Sequence, residues 1–297
     1  MRSVIDTHVH FWRLEPIGDH PWILEAAREN PSAAFLRHDF MPVDFVKAAA
    51  GVDVRAFVHI EAGWKGNEKK SETLWVRRIV EEAPFPCALV AGAALEHPGV
   101  RDELLWQKSC GGAVGVRQML DWDPAPGASQ PPCLLGSPEW ERGLRILGDL
   151  GLVFEVQASP DQLPYVVSLV SRFPEVTFVL DHGGLRGRRT PEVEELWRTA
   201  VAKMAVCNNV RVKVSGYGVV DATWQAAGFK DYVNWLVDLF GPGRSMFGSN
   251  FPFDSATITY VDLVSLHEWA LERLNSRELD QYFLQTAADL YELPLRA

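Results

Sequence analysis

The chain has 297 residues, 47% hydrophobic and 23% charged, with a formal net charge of −10. That is enough apolar material for a large core, and the acidic balance argues against a general binder of nucleic acid or anionic membrane, whose affinity rests on a basic surface. No apolar run approaches bilayer-spanning length and no basic stretch precedes an apolar one at the start, so the expectation is a cytoplasmic protein complete from its first residue.

The first element is the short run Val4–Thr7, which leads into His8-Val9-His10. Residues two apart on a strand face the same side. Both imidazoles would then project from the strand's C-terminal end. That is a geometry for one divalent cation, or for gripping one polar group of a substrate. A surface pair at a strand end would look the same from these two residues alone.

Seven more short apolar runs follow: Arg55–Ile60, Cys87–Ala91, Ala113–Val116, Leu152–Val156, Thr177–Leu180, Val210–Val214 and Ser245–Phe247. Their brevity and β-branched or aromatic content suit buried parallel strands. Helix-like stretches separate most of them, at Asn67–Glu82, Ser137–Leu150, Pro160–Phe173, Pro191–Cys207 and Phe229–Phe240. Pro138, Pro160 and Pro191 sit where a first helical turn tolerates proline, and Gly151 follows a helix as a cap would. Strand-like runs alternating eight times with helix-like stretches predict an α/β fold, a single-domain (β/α)8 TIM barrel over 1–297. An open doubly wound sheet is the alternative, but no glycine-rich phosphate loop follows the first strand. Segments 13–40 and 121–132 read as long irregular cover loops, and Trp12 and Trp22 near the first could line a pocket. Cys87, Cys110, Cys133 and Cys207 are widely spaced and read as free thiols in a reducing compartment.

A barrel does its chemistry at the C-terminal ends of its strands. Polar residues recur at those ends: His59 and Glu61, Arg117 and Gln118, Glu155 and Gln157, Asp181 and His182, Lys213 and Ser215, Asn250 and Asp254. Burying them costs desolvation energy, so their recurrence at one end points to a site. Simpler readings exist: Arg117 could pair with Glu155, Lys213 could bridge a barrel carboxylate, and His182 could close a turn. His20, His38, His97 and His267 fall in loops or helices and are expected to be solvated.

The segments IDTHVHFW, GVRQ, FEVQ, LDHGG, KVSG and FGSNFPFD resemble the amidohydrolase superfamily. They are most similar to its lactonase-like branch, which includes 2-pyrone-4,6-dicarboxylate lactonase and sugar-lactone hydrolases. The resemblance runs from about Val4 to Leu293 and takes in the terminal TAADLY of Thr286–Tyr291. It implies a barrel hydrolase that opens a lactone or related ester of a small organic acid. His8 and His10 would hold a divalent metal, zinc first, or in metal-free members would grip the substrate carbonyl. His182 matches the family's strand-six histidine. Arg117 resembles its carboxylate binder, so a carboxylate-bearing small molecule is the expected partner, anchored as a bidentate pair. Gln157, His59 and Trp12 are further candidates for substrate contact, and Lys213 for stabilising the developing negative charge.

The family's strand-eight aspartate, which takes a proton from water, is Asn250 here. An asparagine cannot accept that proton at neutral pH. Glu155 could be the base, or Asp254 could swing in. The favoured repair is a metal on His8, His10 and His182 that lowers the water pKa, with Glu155 as fourth ligand or proton acceptor. Two other readings remain open: a metal-dependent decarboxylase of an aromatic or unsaturated acid, and a catalytically inactive ligand-binding barrel. Barrels of this type often pair, so a homodimer is also open.

Overall fold

The computed structural model describes residues 2–14, 20–29, 31–64, 68–120, 134–185, 190–220 and 225–295. Eight strands alternate with helices: β1 (Ser3–Val9), β2 (Asp53–Ile60), β3 (Cys87–Gly92), β4 (Ala113–Arg117), β5 (Val153–Val156), β6 (Phe178–Leu180), β7 (Val210–Val214) and β8 (Ser245–Phe247). Each is parallel to the next and hydrogen-bonded to it, in sequence order from β1 to β8. β1 also meets the chain that leaves β8. The His10 amide donates to the Phe251 carbonyl at 2.9 Å and the Asn250 amide to the His8 carbonyl at 2.8 Å, while the Thr7 hydroxyl reaches the Phe247 carbonyl at 2.7 Å. The sheet therefore forms a nearly closed barrel, and its order excludes the open doubly wound alternative.

The helices are α1 (Pro21–Glu29), α2 (Pro42–Ala48), α3 (Lys69–Val80), α4 (Val100–Ser109), α5 (Pro138–Asp149), α6 (Leu163–Arg172), α7 (Pro191–Ala205), α8 (Tyr217–Val220), α9 (Ala226–Phe240), α10 (Tyr260–Ala270), α11 (Ser276–Asp280) and α12 (Thr286–Leu290). Three features differ from the sequence expectation. Segment 13–40 is not irregular: α1 and a 3₁₀ helix at Pro31–Leu36 occupy most of it. Pro21 and Pro31 open these helices, where the missing N–H has no partner to lose. Helix α4 fits the expected alternation but was not among the stretches named from sequence, and a buried glutamine stands on its inner face. Gln107 accepts from the Thr73 hydroxyl at 2.8 Å and donates to the Gly92 carbonyl at 3.3 Å. In α6 the first-turn proline is Pro164, and Pro160 lies in the preceding turn. The expected cover loop at 121–132 lies outside the described residues, as do Pro16 of the first cover segment and Cys133.

Alternation divides the strands into two faces. Ile5, Ala56, Val58, Ala88, Val90, Val153, Val179 and Met246 pack together inside the barrel, with Ala287, Ala288, Tyr291 and Leu293 of the C-terminal segment beneath them. These inner residues lie in the lower and middle parts of their strands, so the C-terminal segment floors the N-terminal mouth. The outward residues, such as Phe57, Phe154 and Phe178, join the helices in the larger core. Each fully buried side chain of this size contributes roughly 1.5–3 kcal/mol by leaving water. With the floor sealed by apolar contact, the polar strand ends collect at the opposite mouth. No helix among the described residues is long and apolar enough to cross a membrane.

Candidate active site

The two histidines of β1 and its exit meet tip to tip. His8 Nε2 lies 3.1 Å from His10 Nε2, and both residues are buried. His10 Nδ1 donates to the Ile60 carbonyl at 2.9 Å, which leaves a lone pair on its Nε2. His8 Nδ1 faces Asp181 Oδ1 at 3.4 Å, short of hydrogen-bond geometry, and both atoms are buried without a hydrogen-bond partner. The contact between the tips is therefore a hydrogen bond that His8 Nε2–H donates; once the His8 proton moves to Nδ1 and turns to Asp181, two lone pairs confront each other at the tips. A cation between them resolves that repulsion. The spacing fits, since two nitrogens each about 2.0–2.1 Å from one tetrahedral zinc stand roughly 3.3 Å apart. A carboxylate behind a ligating imidazole is the usual supporting arrangement. Burial holds both imidazoles well below their ordinary pKa, hence neutral, as ligands must be.

Asp6 fastens this strand to the β8 exit. Its carboxylate accepts from the His8 amide at 3.1 Å, the Ser249 amide at 2.8 Å and the Tyr260 hydroxyl at 3.1 Å. Burial nevertheless pushes its pKa up to about 6.

Beneath the histidines lies a network of buried charges. Lys213 Nζ sits 2.5 Å from Glu155 Oε2 and 3.5 Å from Asp181 Oδ1. His8, Glu155 and Asp181 bring ligand-type atoms within 4.8 Å of one another. The lysine ammonium already serves two members of that group, so the group carries its own cation. Burial pushes Glu155 up to about 8, against the pull of Lys213. Burial would raise Asp181 too, but Lys213, His8 and Arg117 together hold it well below the usual carboxylate range. Both Glu155 oxygens are in use, the second by the Tyr291 hydroxyl at 2.7 Å.

Arg117, at the end of β4, is 5% exposed. Its Nε donates to Glu61 Oε1 at 3.0 Å, one terminal nitrogen to the Glu61 carbonyl at 2.6 Å, and the other to Gln157 Oε1 at 2.9 Å and Asp181 Oδ2 at 3.5 Å. Four of its five N–H donors are thus committed. The simpler pairing with Glu155 is replaced by one with Glu61, which also has Lys69 at 3.6 Å.

His182 lies over His8, with ring centroids 4.5 Å apart, and its Nδ1 is 2.8 Å from the Ser215 hydroxyl. It is only half-buried, unlike His8 and His10. The ring fits because position 216 is glycine: a Cβ there would stand 2.5 Å from its Nδ1. Asn250, at a left-handed φ of 58°, donates through Nδ2 to Asp254 Oδ1 at 3.0 Å. Both are buried.

Several expected residues stand elsewhere. His59 alternates with the inward Val58 and Ile60, so it faces outward, 5.4 Å from the Phe11 ring. Trp12 is fully buried, its indole N–H on the His38 carbonyl. His20 and His267 are buried rather than solvated. His20 packs between Trp64 and Trp75, and His267 accepts or shares a proton with the Tyr282 hydroxyl at 2.8 Å among Phe229 and Phe247. Two contributors were not singled out from sequence, Tyr291 and Phe253, while Asp181 and Glu61 were named only as strand-end polar residues without a role. Phe253 forms a wall beside His10, 5.3 Å from its ring, with Trp22 stacked on it at 6.2 Å. Phe253 could have been found from the motif FGSNFPFD that contains it. Nothing in the sequence places Tyr291 under the barrel.

A family model described as amidohydrolase matches residues 5–293. A protein named L-fucono-1,5-lactonase, from Burkholderia multivorans, is 26% identical over 305 residues, covering 98% of this chain and 96% of its own length. The crystal structure of an amidohydrolase from Burkholderia multivorans with bound zinc superposes with a TM-score of 0.83 at 24% identity, covering 99% of this chain and 100% of its own. A probable 2-pyrone-4,6-dicarboxylic acid hydrolase from Acinetobacter baumannii, solved with citric acid bound, gives a TM-score of 0.71 at 20% identity, with coverage of 98% and 100%. These two structures share the fold.

Proposed function

Because this chain belongs to the amidohydrolase family, we propose that it is a lactonase that adds water to the carbonyl of a small neutral lactone, at a divalent cation held by His8 and His10. The observation that carries the reading is the pair of imidazole tips 3.1 Å apart, one ring fixed by the Ile60 carbonyl and the other backed by Asp181. The zinc in the Burkholderia structure is consistent with it.

A divalent cation bound there supplies a polarised carbonyl and a water of lowered pKa. The chain's own groups do the rest. His182 sits over His8 with its Nδ1 on Ser215, so its Nε2 takes a proton from the attacking water. It returns that proton to the ring oxygen as the acyl–oxygen bond breaks, giving the open hydroxy acid. Asn250 cannot accept a proton; it orients the Asp254 carboxylate. Phe253 and Trp22 offer the lactone an apolar face beside His10. Arg117 was the expected carboxylate anchor, but Glu61, Gln157 and Asp181 engage it. To bind a carboxylate it would have to break a buried pair, at a cost of several kcal/mol. This favours a substrate without a carboxylate, of the type for which the Burkholderia relative is named.

The test is an assay of purified, zinc-supplemented protein on a sugar 1,5-lactone and on a pyrone dicarboxylate, following acid and CO₂ release. The expected result is ring opening without CO₂, lost on chelation and restored by metal, with kcat/KM at least roughly 10-fold higher for the neutral lactone. CO₂ release, or no turnover with any divalent metal, would overturn the proposal.

A further inference from the structure

The C-terminal segment ends α12 with a reversal. The Tyr291 amide donates to the Ala287 carbonyl and the Leu293 amide to the Ala288 carbonyl, both at 3.0 Å, with Glu292 at a φ of 53° between them. This turn sets Tyr291 beneath the barrel, buried among Ile5, Val153 and Met246. A floor of that kind needs only apolar volume, which phenylalanine would supply equally. The hydroxyl is therefore the distinctive contribution, and in such surroundings it needs a partner. It finds Glu155 Oε1 at 2.7 Å. Glu155 holds Lys213 through its other oxygen at 2.5 Å. Lys213 also lies 5.6 Å from the Tyr291 ring centroid and 3.5 Å from Asp181 Oδ1, the oxygen that faces His8 Nδ1 at 3.4 Å. Tyr291, Glu155, Lys213, Asp181 and His8 are all buried.

From this unbroken series of contacts between floor and mouth we propose that Tyr291 is a positioning residue: it fixes Glu155 and Lys213 so that Asp181 stays aimed at His8. Removing the hydroxyl leaves Glu155 Oε1 a buried acceptor without its donor. The carboxylate then turns both oxygens to Lys213, draws the ammonium from Asp181, and releases Asp181 from its orientation. The inference rests on the proposed function only in reading His8 as a metal ligand.

The experiment compares wild type with Tyr291→Phe by ¹⁵N NMR of the His8 ring in the metal-free protein, and by zinc affinity in competition with a chelator. In metal-free wild type the His8 proton is expected to be shared between Nε2, which faces His10, and Nδ1, which faces Asp181. Tyr291→Phe should shift it toward Nε2 and weaken zinc binding by roughly 10-fold. A purely structural role would lower Tm while leaving the His8 spectrum and zinc affinity of the folded protein unchanged, and that result overturns the proposal. If Tyr291→Phe does not fold, Glu155→Gln, which keeps an acceptor for Tyr291 but weakens the hold on Lys213, is read by the same spectrum and decides in the same way. The spectrum requires neither substrate nor metal. Absence of lactone turnover with the expected shift therefore counts against the proposed function and not against the role of Tyr291.

Discussion

His8 and His10 can be set against His59 and His267. All four are buried, none more than 3% exposed, and burial drives all four pKa values down, His59 and His267 to about 3. Depth and titration therefore do not tell the pairs apart. What differs is the nitrogen environment. In the first pair the tips face each other with a carbonyl and a carboxylate behind. His59 has aromatic carbon alongside and no hydrogen-bond partner for either nitrogen, and His267 has a single tyrosine hydroxyl. A functional histidine is recognised by the geometry behind its ring, and a perturbed pKa alone is a weak guide.

The largest expected effect breaks the first pair. His10→Ala should lower kcat/KM on the lactone by on the order of 10³-fold and abolish tight zinc binding, while circular dichroism reports an intact barrel. Retention of full activity would remove the distinction between the pairs. Next is the pH dependence of stability, to which His267 contributes from the second pair. Its folded pKa, about 3, lies below the ordinary 6.5, so between those values the unfolded state binds the extra proton. The stability it confers is complete above pH 6.5 and is lost as pH falls toward 3, approaching about 1.4 kcal/mol per pH unit. His267→Gln should flatten that slope, as read from urea midpoints at a series of pH values. The smallest effect is at His59. His59→Leu removes two unpaired buried nitrogens and should stabilise the fold by about 1 kcal/mol, visible as a higher Tm with unchanged kcat/KM. A fall in activity would move His59 into the site.

The barrel was legible because each short apolar run ended in a helix-like stretch; Val210–Val214 and Ser245–Phe247 are bounded as the sequence predicts. Helix α1 was not, and the bounds of α4 were not, since proline and a buried glutamine carry meanings that only packing decides. At the site, the i, i+2 spacing brought His8 and His10 together, and strand-end position found Arg117, Glu155, His182 and Lys213. Their pairings were hidden. Arg117 and Glu155 are register partners on β4 and β5, yet Arg117 pairs with Glu61 because Lys213 and Tyr291 engage both oxygens of Glu155, a choice that no linear spacing records. His59 misled because its strand neighbours fix which way it points, and one residue of phase reverses the face.

Lys213 gives the molecule an inbuilt counter-ion for Glu155 and Asp181. Two carboxylates brought together in a buried centre otherwise repel, and one of them must take up a proton. Here the polypeptide provides that charge itself. The charge balance at the barrel's centre thereby comes from the polypeptide's own groups, and the mouth above it is left free to be shaped by what it must hold.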